Sequence, residues 1–71
     1  MAKGMVDRYS EDKGFGFIRQ DDGKEIRVRR SSINMPGYKT LIPGEQVSFE
    51  VVETIQGLEA RNVERLQIGE N

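Results

Sequence analysis

The 71-residue sequence contains no cysteine and no histidine. Disulfide bonds, zinc sites built on these ligands, and catalytic Ser-His or Cys-His pairs are therefore excluded. No apolar run approaches the ~20 residues of a membrane-spanning helix, and no signal-peptide pattern precedes the charged start. These absences predict one small cytoplasmic domain, a monomer by default, that binds no metal ion, cofactor or membrane.

Aromatic residues are scarce, with three phenylalanines, two tyrosines and no tryptophan. Two of them, Phe15 and Phe17, are separated by one glycine and closely preceded by Lys13. Since side chains alternate along a strand, both rings are expected on the same face of a sheet. Paired rings beside a cation suit successive unstacked bases, so this segment predicts a surface for single-stranded RNA or DNA.

The formal net charge is only −1, but the charges are distributed unevenly. Residues 1–40 contain nine Lys or Arg and six Asp or Glu, whereas residues 41–71 contain two and six. Arg27, Arg29 and Arg30 supply three arginines within four positions. One basic face is sufficient to bind a polyanion. We therefore expect the first part of the chain to face the ligand and the acidic second part to face away.

Alternating apolar residues and turn signals predict a protein made mostly of β-strands. The expected strands are residues 5–9, 15–20, 25–29 and 46–51. A loop is expected over residues 31–45, which contain two Pro-Gly pairs. Residues 58–66 fit either an amphipathic helix or a closing strand, and the pattern leaves both open. The residues expected in the core are Val6, Ile18, Ile26, Val28, Val47, Phe49, Val51 and Val63.

Five short strands with tight turns indicate a closed β-barrel, in which no strand edge is left unpaired. Over about residues 3–66 the chain resembles the bacterial cold-shock proteins. The motifs that carry the resemblance are Asp-Lys-Gly-Phe-Gly-Phe-Ile at 12–18, Gly-Tyr-Lys-Thr-Leu at 37–41, Gly-Glu-Gln-Val-Ser-Phe-Glu-Val at 44–51 and Ala-Arg-Asn-Val at 60–63. The ordered set is far more specific than the first motif alone.

This resemblance implies an all-β fold, namely a five-stranded antiparallel Greek-key barrel of the OB-fold class. Residues 1–71 would then form one domain, with segment 58–63 as the fifth strand and residues 67–71 as a tail. The resemblance also implies that the chain binds single-stranded RNA or DNA without catalysis. Its expected role is that of an RNA chaperone or a modulator of transcription or translation.

The chain departs from the family where cold-shock proteins place their stacking rings. Their third strand normally reads Val-Phe-Val-His-Phe, whereas residues 26–30 read Ile-Arg-Val-Arg-Arg. The usual Trp-Phe pair on the first strand is replaced by Arg8-Tyr9, and the usual basic residue before it by Asp7. The predicted nucleic-acid-binding residues are Arg8, Tyr9, Lys13, Phe15, Phe17, Arg27, Arg29, Arg30, Tyr38 and Lys39.

Guanidinium groups in place of rings should shift binding from stacking toward charge. A guanidinium is planar, so it can lie flat on a base or donate two hydrogen bonds to a phosphate. We therefore expect binding that depends more on ionic strength, and less on base identity, than in an aromatic-rich relative.

Other functions fit the residues less well. The main alternative is a protein-interaction module on the same barrel, since arginines and aromatic residues are also enriched in protein interfaces. An acidic partner would then dock on the arginines. An S1-like fold, as in bacterial initiation factor one, is disfavoured by the 13–18 motif. An RRM is disfavoured because it needs two helices and a second motif upstream of the first, and the chain offers neither convincingly. The acidic pairs Asp21-Asp22 and Glu11-Asp12 lie in expected turns, so the sequence does not predict an enzyme.

Overall fold

The computed structural model describes residues 2–37 and 39–66, which form five β-strands and one turn of 3-10 helix. The strands are β1 (Ala2–Ser10), β2 (Phe15–Gln20), β3 (Glu25–Arg29), β4 (Gln46–Thr54) and β5 (Gly57–Arg65). The 3-10 turn, Arg30–Ser32, directly follows β3. The described ranges contain no helix that is both long and apolar enough to cross a membrane.

The strands close into a barrel in the order β1-β2-β3-β5-β4. Four neighbouring pairs are antiparallel, and the short contact between β3 and β5 is parallel. The predicted five-stranded all-β barrel is confirmed. The predicted tail, residues 67–71, lies outside the described residues, and so does Tyr38.

The last part of the barrel is a strand rather than a helix. β5 forms a long antiparallel ladder with β4, and it also pairs with β3 at Glu59 and Ala60. β5 begins directly after its turn from β4 with Gly57 at φ 120°, a backbone conformation that suits glycine. An extended β5 is needed to close the sheet. Tertiary pairing therefore decides between the two conformations that the sequence pattern allowed.

The hydrophobic core fills the inside of the barrel. Its buried residues are Val6, Ile18, Ile26, Val28, Ile33, Leu41, Val47, Phe49, Ala60 and Val63. The predicted core is confirmed except at Val51, where the prediction is wrong, because this residue is 39% exposed. The described pairing of β1 with β4 ends at Ala2 opposite Phe49, so Val51 lies beyond the strand that would cover it.

An irregularity in β1 decides which of its side chains face outward. The pairing of β1 with β2 shifts between Val6 and Arg8, which makes Asp7 an extra residue, a β-bulge. Beyond the bulge, Arg8 lies opposite Phe17. The bulge therefore moves Arg8 to the outer face of the barrel, where a regular strand would have turned it inward.

Close contact between β1 and β2 depends on Gly16, which is buried. A Cβ atom added at Gly16 would lie 2.6 Å from the Cα atom of Tyr9 and 2.9 Å from its Cδ1 atom. Both distances are shorter than van der Waals contact, so a larger residue would push the two strands apart. The glycine between the two rings therefore allows the neighbouring strand to approach.

Candidate nucleic-acid interface

The phenyl rings of Phe15 and Phe17 form a pair on the outer face of β2. Their centroids are 6.0 Å apart and their planes make an angle of 80°, an edge-to-face arrangement. Both residues are half-buried, whereas Gly16 and Ile18 between and after them are buried. The alternation expected from the sequence is confirmed, and the two rings share one face of the sheet.

An arginine side chain lies over each ring of the pair. The Cζ atom of Arg8 is 4.4 Å from the centroid of Phe17, and the Cζ atom of Arg27 is 5.8 Å from the centroid of Phe15. Both distances fall within the range of a cation–π interaction. The strand register places Arg8 on β1 directly opposite Phe17. Arg27 on β3 also pairs with Phe17, so its side chain lies diagonally across the sheet over Phe15.

These side chains line an open groove of about 600 Å³, called here the ring groove. Its lining residues are Arg8, Tyr9, Ser10, Lys13, Phe15, Gly16, Phe17 and Arg27. Six of the residues predicted from the sequence therefore lie together. Their combination of flat rings, planar cations and a flexible lysine is suited to unstacked bases and to phosphates.

Tyr9 contributes to the ring groove in a different way from the two phenylalanines. Its ring packs against the hydrophobic core, and the residue is half-buried. It pairs with Gly16, which has no side chain to compete for the same space. Its hydroxyl is buried and has no hydrogen-bond partner within the described part of the chain. We therefore assign Tyr9 to the floor of the groove rather than to its stacking surface.

Two of the predicted arginines are engaged with other parts of the protein. The Nη2 atom of Arg29 donates a hydrogen bond to Gln56 Oε1 at 3.1 Å and lies 3.5 Å from Glu59 Oε2. The Glu59 side chain is only 13% exposed. The Nη2 atom of Arg30 donates to the carbonyl oxygen of Glu11 at 2.6 Å. The sequence predicted that both arginines face a ligand, but the charge of Arg29 is offset by Glu59 and the guanidinium of Arg30 is directed toward the backbone of the barrel.

An acidic network surrounds Arg8. Its Nη1 atom lies 3.1 Å from Asp7 Oδ2 and 3.8 Å from Glu25 Oε2. Arg19 completes the network, because its Nη2 atom lies 3.6 Å and 3.1 Å from the same two carboxylates. Each exposed ion pair contributes little to stability. Together they offset the positive charge at the Phe17 end of the ring groove.

A second groove, of about 470 Å³, begins beside Arg29. Its lining residues are Arg29, Ser31, Ser32, Ile33, Asn34, Lys39, Glu59, Arg61 and Asn62. Lys39, which the sequence singled out, lies here and not in the ring groove. Tyr38 falls outside the described residues, so its predicted role stays a prediction.

Three residues near the site were missed by the sequence analysis. Gln56 contacts Arg27 and Arg29, Glu59 pairs with Arg29, and Arg61 lines the second groove. They lie far from β3 in the sequence, and no local pattern links them to it. Only the expectation that β3 pairs with β5 to close the barrel could have indicated that these residues lie next to β3.

One carboxylate of each acidic pair accepts a hydrogen bond within the fold. The backbone N–H of Lys24 donates to Asp22 Oδ1 at 2.9 Å, which stabilises the turn between β2 and β3. Glu11 accepts a hydrogen bond from the Thr40 hydroxyl at 2.7 Å. Within residues 2–37 and 39–66, no cluster of three or more acidic, His or Cys side chains is arranged to hold a metal ion.

Comparison with known proteins finds relatives over nearly the whole chain. Residues 2–66 match the family model described as the 'Cold-shock' DNA-binding domain. Cold shock-like protein CspA of Stigmatella aurantiaca is 48% identical over 64 residues, which are 89% of this chain and 94% of that protein. Cold shock-like protein CspG of Shewanella violacea is 49% identical over 61 residues, covering 84% and 87%. Cold shock protein CspD of Bacillus subtilis is 42% identical over 66 residues, covering 93% and 100%. Sequence, fold and relatives agree that the chain belongs to the cold-shock domain family.

Proposed function

We propose that this protein binds single-stranded RNA or DNA in the ring groove and acts as an RNA chaperone or a modulator of transcription or translation. The observation that carries the proposal is the pair of half-buried rings, Phe15 and Phe17, with a guanidinium over each. The description of the matching family model, a DNA-binding domain, supports the same class of ligand.

The two rings supply the stacking part of the binding energy. Stacking of a base on an aromatic side chain contributes about 1–3 kcal/mol per base. A duplex hides the faces of its bases, so the rings favour single strands. Because Arg8 and Arg27 lie over the rings in the unbound protein, an incoming base must either displace a guanidinium or stack against it.

The cations supply the phosphate part of the binding energy. Arg8, Lys13 and Arg27 line the ring groove beside the phenylalanines. Each phosphate that a protein neutralises on a single strand changes the slope of log K against log salt concentration by about −0.7. The replacement of rings by arginines therefore supports tighter binding at low salt and weaker base preference.

The experiment that tests this proposal is fluorescence anisotropy with labelled single-stranded heptamers, one pyrimidine-rich and one purine-rich, and a duplex of matched sequence. We expect both heptamers to bind, the duplex to bind much more weakly, and the double variant Phe15→Ala/Phe17→Ala to lose most of the affinity. Thermal melting of the variant serves as the control for folding.

The competing function is docking of an acidic protein on the arginines. An acidic protein that binds, and that an excess of single-stranded heptamer does not displace, would overturn the nucleic-acid proposal. The internal contacts of Arg29 with Glu59 and Gln56 make that surface less available to such a partner.

The proposed working form is a monomer in the cytoplasm without catalytic activity. Closure of the barrel supports the monomer, because pairing around the barrel removes the open sheet edges on which a second copy would add a strand. The hydrogen bonds of Asp22 and Glu11 support structural roles for these two carboxylates rather than acid–base chemistry.

A further inference from the structure

The second groove is built by the segment after β3 and by the middle of β5. Ile33 forms a parallel bridge with Val63, and the backbone N–H of Asn34 donates to the carbonyl oxygen of Val63 at 2.8 Å. Both Ile33 and Val63 are buried in the core. The walls of this groove are therefore anchored to the barrel, although one of them comes from the connection between β3 and β4.

The groove carries more positive than negative charge. Arg29, Lys39 and Arg61 line it, and Glu59 is the carboxylate among its lining residues. Glu59 pairs with Arg29 at 3.5 Å, whereas Lys39 and Arg61 are exposed and form no ion pair within residues 2–37 and 39–66. Two cations therefore remain available to an anionic ligand.

The neutral polar residues of the groove differ in what they can still bind. The amide of Asn34 donates to Glu64 Oε2 at 2.9 Å, and the amide of Asn62 donates to Glu50 Oε1 at 3.1 Å. The hydroxyls of Ser31 and Ser32 remain as small donors beside the two cations. The described residues of the lining include no aromatic side chain, and their cations and hydroxyls are suited to phosphate and sugar.

Arg29 connects this groove to the rings. It pairs with Phe15 across β2 and β3, and it also lines the second groove. From β2 across β3 to β5 the distance is two strand spacings, about 10 Å. A single strand stacked on Phe15 therefore needs only a short extension past Arg29 to reach Lys39 and Arg61.

We propose that the second groove binds the phosphate–sugar backbone of the same single strand where it continues past Phe15. Lys39 and Arg61 contact its phosphates, and the hydroxyls of Ser31 and Ser32 donate to phosphate or sugar oxygens. This inference rests on the proposed function of the ring groove. It assigns a binding role to Arg61, which the sequence analysis did not single out.

The test compares the double variant Lys39→Ala/Arg61→Ala with the control Lys3→Ala/Lys24→Ala, which removes the same charge from exposed lysines outside both grooves. Anisotropy is measured with a labelled tetramer, short enough to occupy the ring groove alone, and with a nonamer of the same base. For the nonamer at low salt, we expect the double variant to bind about threefold more weakly per cation removed. Its salt slope should become shallower by about 0.7 per cation.

For the tetramer, we expect the double variant to match the wild-type protein. The control variant should also match the wild-type protein for both oligonucleotide lengths, apart from a small loss of affinity that is the same for each. If the double variant loses equal affinity for tetramer and nonamer, or none for the nonamer, the second groove is not part of the path and the inference is wrong. If the wild-type protein binds neither length, the proposed function itself fails. Binding of polyglutamate through Lys39 and Arg61, without a nonamer effect, would contradict the inference in favour of an acidic protein partner.

Discussion

The two rings of the pair lie in the same strand but in different charge environments. At the Phe17 end, the guanidinium of Arg8 lies 4.4 Å from the ring centroid and is shared with Asp7 and Glu25. At the Phe15 end, the guanidinium of Arg27 lies farther from the ring, at 5.8 Å. Its hydrogen-bond partner is the neutral side-chain amide of Gln56, whose Oε1 accepts at 3.4 Å.

This difference indicates that the two ends of the ring groove contribute unequally to the binding energy. The Phe17 end is covered and charge-compensated, so a base there must compete with a guanidinium already held in place. The Phe15 end keeps positive charge, since Lys13 and Arg27 form no ion pair among the described residues, and it leads past Arg29 to the second groove. We therefore expect the Phe15 end to contribute more binding energy and more of the salt dependence.

The largest expected effect is destabilisation of the fold, which disrupts both ends of the ring groove at once. Gly16→Ala places a Cβ atom 2.6 Å from the backbone Cα of Tyr9, which forces β1 away from β2. We expect the free energy of unfolding to fall by roughly 3 kcal/mol, the upper part of the range for overpacking. Urea denaturation measures it. An unchanged unfolding midpoint would show that the strands do not approach as closely as described.

The next effect compares the two rings directly. Phe15→Ala should weaken binding of a heptamer by about 2–3 kcal/mol and Phe17→Ala by about 1 kcal/mol, within the range for stacking on one aromatic residue. Anisotropy titrations measure both, and Phe15→Tyr and Phe17→Tyr, which keep a ring, are the matched controls. A larger loss at Phe17 would reverse the proposed division. If either alanine variant unfolds without a separate binding effect, that ring belongs to the core.

A smaller effect compares the arginines. Arg27→Ala should weaken binding by about 1 kcal/mol at low salt and make the salt slope shallower by about 0.7. Arg8→Ala should change both quantities less, because Asp7 and Glu25 already offset its charge. Titrations of both variants across a salt series make the comparison. A loss that is the same at every salt concentration would indicate stacking by the guanidinium instead of phosphate contact.

The smallest effect acts on the carboxylates that hold Arg8. Asp7→Asn keeps the size of the bulge residue but removes its charge, so Arg8 becomes more available to a phosphate. We expect affinity for a heptamer to rise by about 0.5 kcal/mol at low salt. Glu53→Gln, an exposed residue on β4 outside both grooves, controls for the change in net charge. Equal gains in the two variants would mean that Asp7 acts only through the overall field.

The sequence predicted the parts of the site that depend on local alternation. Phe15 and Phe17 share a face because they are two residues apart in a strand, and Ile26 and Val28 are buried for the same reason. The barrel followed from the order of strands and turns and from the family resemblance. For residues 58–66 the resemblance was decisive, since their own pattern also fitted a helix.

The parts that the sequence did not predict depend on where one strand ends or bulges against another. Val51 continues the alternation of Phe49 but lies past the end of the β1 ladder, so it is exposed. The bulge at Asp7 exchanges the faces of Arg8 and Tyr9, because regular alternation from Val6 would turn Arg8 inward and Tyr9 outward. The contacts of Arg29 with Gln56 and Glu59 come from barrel closure, which joins residues distant in the chain.

The most direct test of the central claim, that charge has taken over much of the binding around a surviving ring pair, is the salt dependence of heptamer binding by the wild-type protein. Lys13 and Arg27 can each contact a phosphate, and Arg8 contributes less because its charge is offset, so we expect log K to fall linearly with log salt concentration, with a slope between about −1.4 and about −2. The measurement is an anisotropy titration at several salt concentrations between low and physiological. A flat response over that range would contradict the account.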